Sequence, residues 1–279
     1  DPSHINAHFQ LSQVYDVNGD LEKSLKEFEE VTRIQPENFE GHFRKGDIYE
    51  RLKNYKAAAK SFEKVVSIKP SHTEAHFRLG LNYAKTDRNE GALSEYKKAV
   101  QIDPSFASAY YQIGTAFLDL KQYKKALDPL KQAIRIDPDF KEAHYALGKT
   151  YNYLNRYQSA IESLNQAIRI DSQYAFAHLA LGLANTKLKQ YDQAVPYLSK
   201  AVKLDPSLIE AHSHLGLSFM KVGQFEEAVV SLNKIEPSDP NYADAQSNLG
   251  LVLWKLQQYP NAITALKKSI KLRPSLTTS

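Results

Sequence analysis

Pro2, Pro36, Pro70, Pro104, Pro138, Pro206, Pro240 and Pro274 stand 34 residues apart, or 68 apart where Ser172 takes the place of one of them. A period kept through 279 residues without an insertion leaves little choice of fold. Each segment must be one supersecondary unit, and a unit this short cannot bury its apolar face without neighbours of its own kind. Eight units fit: 5–38, 39–72, 73–106, 107–140, 141–174, 175–208, 209–242 and 243–276. Residues 1–4 are expected to be the tail of an upstream unit and 277–279 a short tail.

Inside a unit the apolar residues recur with helical spacing. His76, Leu79, Gly80 and Tyr83 form one stripe and Ala92, Tyr96 and Ala99 another, so the spacing predicts two amphipathic helices. Polar links such as "KTDRN" at 85–89 separate them, and "DP" dipeptides end many units because the residue before a proline is pushed out of the helical region. Gly46, Gly80, Gly114, Gly148, Gly182, Gly216 and Gly250 recur in the first helix. Glycine inside a helix costs about 1 kcal/mol relative to alanine, so the column predicts close helix contact there.

"HFRLGLNY" at 76–83 and "ALSEYKKAVQIDP" at 92–104 resemble the tetratricopeptide repeat family residue for residue. The resemblance covers residues 5–276 and implies an all-α fold, an α-solenoid in which antiparallel helix hairpins wind into a right-handed superhelix. Departures are local: Ser12 replaces the glycine of the first unit, Asn185 the tyrosine of the sixth, and Ser172 the closing proline of the fifth. Asn185 is expected to leave space or bind water. Pro129 and Pro196 are expected to remove a backbone donor and bend their helices, and Pro237 to stop the seventh unit's second helix early.

His8, His42, His76, His144, His178 and His212 share one column with Tyr110 and Gln246. A shared metal ion would need imidazole nitrogens about 2.0–2.1 Å from it, whereas packed helices stand about 8–10 Å apart. The column therefore predicts imidazoles wedged between the two helices of a unit, with no metal, no cofactor and no catalytic role. His214 points elsewhere, toward the surface or a groove. The absence of cysteine excludes disulfides and thiolate chemistry, and no phosphate-binding glycine loop follows a strand. The chain is not expected to be an enzyme.

Residues 1–50 hold eleven acidic and five basic residues, and 51–100 the reverse. The net charge of +4 and an acidic first unit argue against nucleic acid. No run is long enough for a membrane-spanning helix. Met220 is the only methionine, so Asp1 is not expected to be the natural start.

The resemblance places a binding groove along the first helices. One column facing it reads Phe9, Phe43, Phe77, Tyr111, Tyr145 and Leu179, and another includes Asp47, Leu81, Thr115, Lys149, Leu183, Leu217 and Leu251. Arg44 and Arg78 lie beside them, and Arg51, Lys85, Lys187, Lys221 and Lys255 end the first helices, where the helix dipole also favours them. An apolar stripe flanked by cations suits a protein or peptide segment with apolar anchors and acidic groups. The family's chaperone-tail clamp is not expected, since Phe, Tyr and Leu stand where its first lysine belongs. The asparagine ladder of its glycosyltransferase-linked members is also missing, Asn248 alone fitting that column. Two further readings stay open: an assembly scaffold forming homo-oligomers through uncapped ends, "RPSLTTS" at 273–279 lacking a polar cap, and a substrate-recognition domain of a larger enzyme.

Overall fold

The computed structural model describes residues 2–273, so Pro274, the unit boundary at 276, the tail 277–279 and the missing C-terminal cap lie outside the described residues. Among the described residues there are sixteen α-helices and no strand. The chain divides into two compact units, residues 1–138 and 139–279. The first holds α1 (Pro2–Val17), α2 (Leu21–Ile34), α3 (Phe39–Arg51), α4 (Tyr55–Ile68), α5 (Thr73–Lys85), α6 (Asn89–Ile102), α7 (Ala107–Asp119) and α8 (Tyr123–Ile136). The second holds α9 (Lys141–Tyr153), α10 (Tyr157–Ile170), α11 (Ala175–Lys187), α12 (Tyr191–Leu204), α13 (Ile209–Val222), α14 (Phe225–Leu232), α15 (Tyr242–Lys255) and α16 (Tyr259–Leu272). Each odd-numbered helix pairs with the next as a hairpin, and successive hairpins stack, so each unit is a run of α-solenoid.

The glycine column is where the two helices of a hairpin touch. A Cβ added at Gly80 would stand 2.5 Å from the Tyr96 ring, and one at Gly148 would stand 2.5 Å from Leu164 Cγ. The side chain of the second helix fills the space that a first-helix side chain would need. Ala58, Ala126, Ala160 and Ala194 are completely buried on the facing helix, which keeps the backbones close. In the first hairpin Ser12 fits by turning its hydroxyl back to the Phe9 carbonyl at 2.6 Å.

The link between paired helices also repeats. Gly19, Lys53, Asp87, Lys121, Asn155, Lys189, Gly223 and Gln257, one per hairpin, all have positive φ, and only two of them are glycine. The others hold a left-handed conformation that costs an L-residue roughly 1–2 kcal/mol.

Three proline expectations resolve differently. α8 and α12 run through Pro129 and Pro196, and Leu130 and Leu198 beside them are completely buried. α14 ends at Leu232, because the ring of Pro237 would meet the carbonyl of Asn233 if the helix continued. At the other end, α1 begins at Pro2. Asn185 is 2% exposed and returns its Nδ2 to the Leu181 carbonyl at 2.9 Å.

Candidate functional site

The histidine column forms hydrogen bonds across the joints between hairpins. Nε2 of His42, His76, His178 and His212 donates to the carbonyl six residues earlier, on Pro36, Pro70, Ser172 and Pro206, at 2.9–3.2 Å. Each imidazole thereby ties a first helix to the residue that closes the preceding sequence unit, and burial holds the pKa of His42, His178 and His212 below the ordinary histidine value. His76 differs, since its Nδ1 also meets Glu95 Oε2 at 2.6 Å with both side chains buried. Burial pushes the Glu95 carboxyl up, but hydrogen bonds from His76 and Lys98 outweigh it and hold the group below its usual range. His214 is half-buried, and burial and nearby Lys187 lower its pKa to about 4.

The aromatic column of the first helices is half-buried. Phe9 stands edge-on to Phe28 at 5.2 Å, Phe43 edge-on to Phe62 at 5.4 Å and stacked on His72 at 5.2 Å. Phe77 lies 4.8 Å from Phe106, and Tyr145 lies 5.1 Å from Tyr174. These rings join a first helix to its partner helix or to the loop leading into the next hairpin. Leu179 is 7% exposed, Leu81 packs on the core of the first unit, and Thr115 donates to the Gln112 carbonyl at 3.0 Å.

In the first unit the candidate arginines are already engaged. Arg78 pairs with Asp47, with Glu50 at 2.5 Å and with Glu74 at 3.4 Å, and Arg51 pairs with Asp16. Arg44 approaches Glu40 at 3.8 Å. Burial pushes the carboxyls of Glu50 and Glu74 up despite the guanidinium between them. Lys85 is exposed and, among the described residues, has no carboxylate partner.

The second unit is different. A cavity of about 460 Å³ opens between α9, α11 and the start of α13, with Tyr145, Lys149, Tyr153, Phe176, Leu179 and Leu183 in its wall. Asn152 donates to the Ala180 carbonyl at 3.0 Å, while its buried Oδ1 accepts nothing. Lys149, Lys187, Lys221 and Lys255 form no ion pair among the described residues; Lys149 lies over the Tyr153 ring and Lys255 over Trp254. Leu217 is half-buried, and Leu251 is 48% exposed. The structure thus brings Tyr145, Lys149, Leu179 and Leu183 together, and adds Phe176, Tyr153 and Asn152, which the column reading passed over. Their signal was a broken pattern: Phe176 stands where Glu40, Glu74, Glu142 and Glu210 stand in other units, and Tyr153 stands, with Val17 and Asp119, in a column otherwise of Lys and Arg.

Among the described residues no helix is long and apolar enough to cross a membrane, and no three His, Asp or Glu side chains gather where they would hold a metal ion. Fold and surface together define a helical-repeat protein of the interaction-module class. Family models for the tetratricopeptide repeat match residues 5–38, 39–72, 83–121, 114–154, 148–189, 175–208 and 214–276. The chain belongs to the tetratricopeptide repeat family. No curated protein matches it. Among solved structures, the C-terminal part of a tetratricopeptide repeat protein from Cytophaga hutchinsonii aligns with a TM-score of 0.68 at 20% identity, over 85% of this chain and 98% of that one. MamA aligns with a TM-score of 0.57 at 27% identity, over 62% of this chain and 94% of that one. YrrB, described as a repeat protein with an unusual peptide-binding site, aligns with a TM-score of 0.58 at 19% identity, over 66% of this chain and 95% of that one.

Proposed function

We propose that the chain binds a segment of another protein against the first helices of its second unit, without catalysing a reaction. The observation that carries this is the cavity walled by Tyr145, Phe176, Leu179 and Leu183, with Phe176 48% and Tyr153 50% exposed at its edge. Exposed rings beside unpaired Lys149, with unpaired Lys187 at the end of α11, suit a large apolar anchor flanked by Asp or Glu. The bare Oδ1 of Asn152 offers an acceptor to a peptide N–H. Arg44, Arg51 and Arg78 are weaker candidates than the lysines, because an acidic ligand would first have to displace Glu40, Asp16, Asp47 and Glu50. The peptide-binding site of YrrB lends support by analogy of fold.

Fluorescence anisotropy with labelled 15-residue peptides carrying Leu or Phe beside Asp or Glu tests the reading. Phe176→Ala should weaken binding about tenfold or more, as loss of a central aromatic anchor does. Lys149→Glu with Lys187→Glu should abolish preference for the acidic peptides. Equal affinity of all three proteins for every peptide would refute it.

A further inference from the structure

The joint between the seventh and eighth hairpins departs from its neighbours. α14 has 8 residues where α12 has 14, and Glu236, in the segment that replaces the last helical turns, stands in a column that reads Val66, Val100, Ile134, Ile168 and Val202 in the five hairpins before it. Val202 packs against the cluster of Ala201, Ala211 and Leu215, and a carboxylate outside a helix does not fill the matching place. A cavity of about 490 Å³ opens there, with Val229, Ile235, Leu249 and Leu253 on its apolar side and Gln246, Glu236 and Lys268 among its polar lining. That volume is in the range of small-molecule sites. Its walls come from α14, α15, α16 and the link between α14 and α15. At its rim, Asn261 and Thr264 correspond to Glu227 and Val230 in the seventh hairpin and to Gln193 and Pro196 in the sixth, all of which are exposed although another hairpin packs behind them.

Gln246 is 6% exposed, and among the described residues its side-chain amide has no hydrogen-bond partner. A buried amide without a partner carries a desolvation cost that a ligand group can remove. The third hairpin shows which group fits. There the corresponding positions are His76, Glu95 and Lys98, and the Glu95 carboxylate meets His76 Nδ1 at 2.6 Å and accepts from Lys98 Nζ at 2.7 Å. In the eighth hairpin the same positions are Gln246, Ala265 and Lys268. The two donors remain, a buried amide and a lysine that forms no ion pair among the described residues, while the side chain that accepted from both is reduced to a methyl group in the cavity wall.

We propose that this cavity binds a small carboxylic acid with an apolar body, the ligand's carboxylate taking the place that Glu95 holds in the third hairpin. Gln246 Nε2 and Lys268 Nζ donate to the carboxylate, and the hydrocarbon part lies against Val229, Ile235, Leu249 and Leu253. Glu236, the one carboxylate in the wall, disfavours a second acid group on the ligand, so the site selects monoacids. The site is separate from the peptide site proposed above, whose lysines and rings lie on α9 and α11, and either can fail without the other.

Ligand-observed NMR titration of the 279-residue chain with 3-phenylpropanoate and with 3-phenylpropanamide tests it. The acid should bind about tenfold or more tightly than the amide, which has the same body and no charge. Lys268→Gln should weaken binding of the acid about tenfold, with an unchanged circular dichroism spectrum because the side chain is exposed. Ala265→Glu rebuilds the third hairpin's arrangement from within the chain and should abolish binding while the melting temperature holds or rises. Failure of the acid to bind, equal binding of acid and amide, or binding of the acid undiminished in Lys268→Gln would each overturn the proposal.

Discussion

At the residue scale, the column positions that look alike divide by what stands opposite them. Gly80 faces Tyr96 with no room for a methyl group. Gly80→Ala should therefore lower stability by about 1–3 kcal/mol, as overpacking does, which urea denaturation would measure. The histidines divide in the same manner: Glu95 meets His76, whereas Ser61 and Ser231 occupy the matching places opposite His42 and His212. His214 has the largest consequence for pH. Its folded pKa of about 4 lies below the ordinary value near 6.5, so the unfolded chain binds more protons between those values. Its contribution is complete above about pH 6.5 and withdrawn as pH falls toward 4, a loss on the order of 2 kcal/mol. Thermal melts from pH 7 to pH 4 should show a shallower fall for His214→Gln than for the wild type; parallel slopes would show that His214 is not the group responsible.

At the scale of elements, the hairpin links carry a removable cost. Lys53, Lys121 and Lys189 hold the left-handed conformation that Gly19 and Gly223 hold freely. Lys121→Gly should raise stability by up to about 1 kcal/mol, the relief of strain exceeding the added entropy of the unfolded chain. A lower melting temperature would mean that the lysine contributes more than its backbone costs. α14 shows the opposite economy of sequence: Pro237 removes the last turns of one helix, and a cavity of about 490 Å³ opens beside it between Val229, Ile235, Tyr242 and Leu253. Pro129 and Pro196, by contrast, lie inside α8 and α12, and the helices continue through them.

At the scale of the whole molecule, the division at residues 138 and 139 separates two sets of four hairpins, each with its own buried clusters. Stability in such arrays is a sum over hairpins and their nearest-neighbour joints. Residues 139–279 expressed alone should give a helical circular dichroism spectrum and a cooperative melt, at a lower temperature than the full chain. A fragment that is unfolded at 25 °C would show that the second set depends on the first.

The 34-residue period, the two amphipathic stripes and the glycine column were enough to specify helix hairpins, their order and their close contact, because those depend on local spacing and on volumes that recur in every unit. The aromatic column and the cations were legible as candidates but not in their roles. Whether Phe77 lines a groove or fills a seam depends on Phe106, 29 residues away, and whether Arg78 is available depends on Asp47 and Glu50 in the preceding hairpin. Partners from another hairpin are set by how hairpins stack, so only the tertiary structure decided that the first unit neutralises its own arginines while Lys149 remains unpaired beside exposed rings.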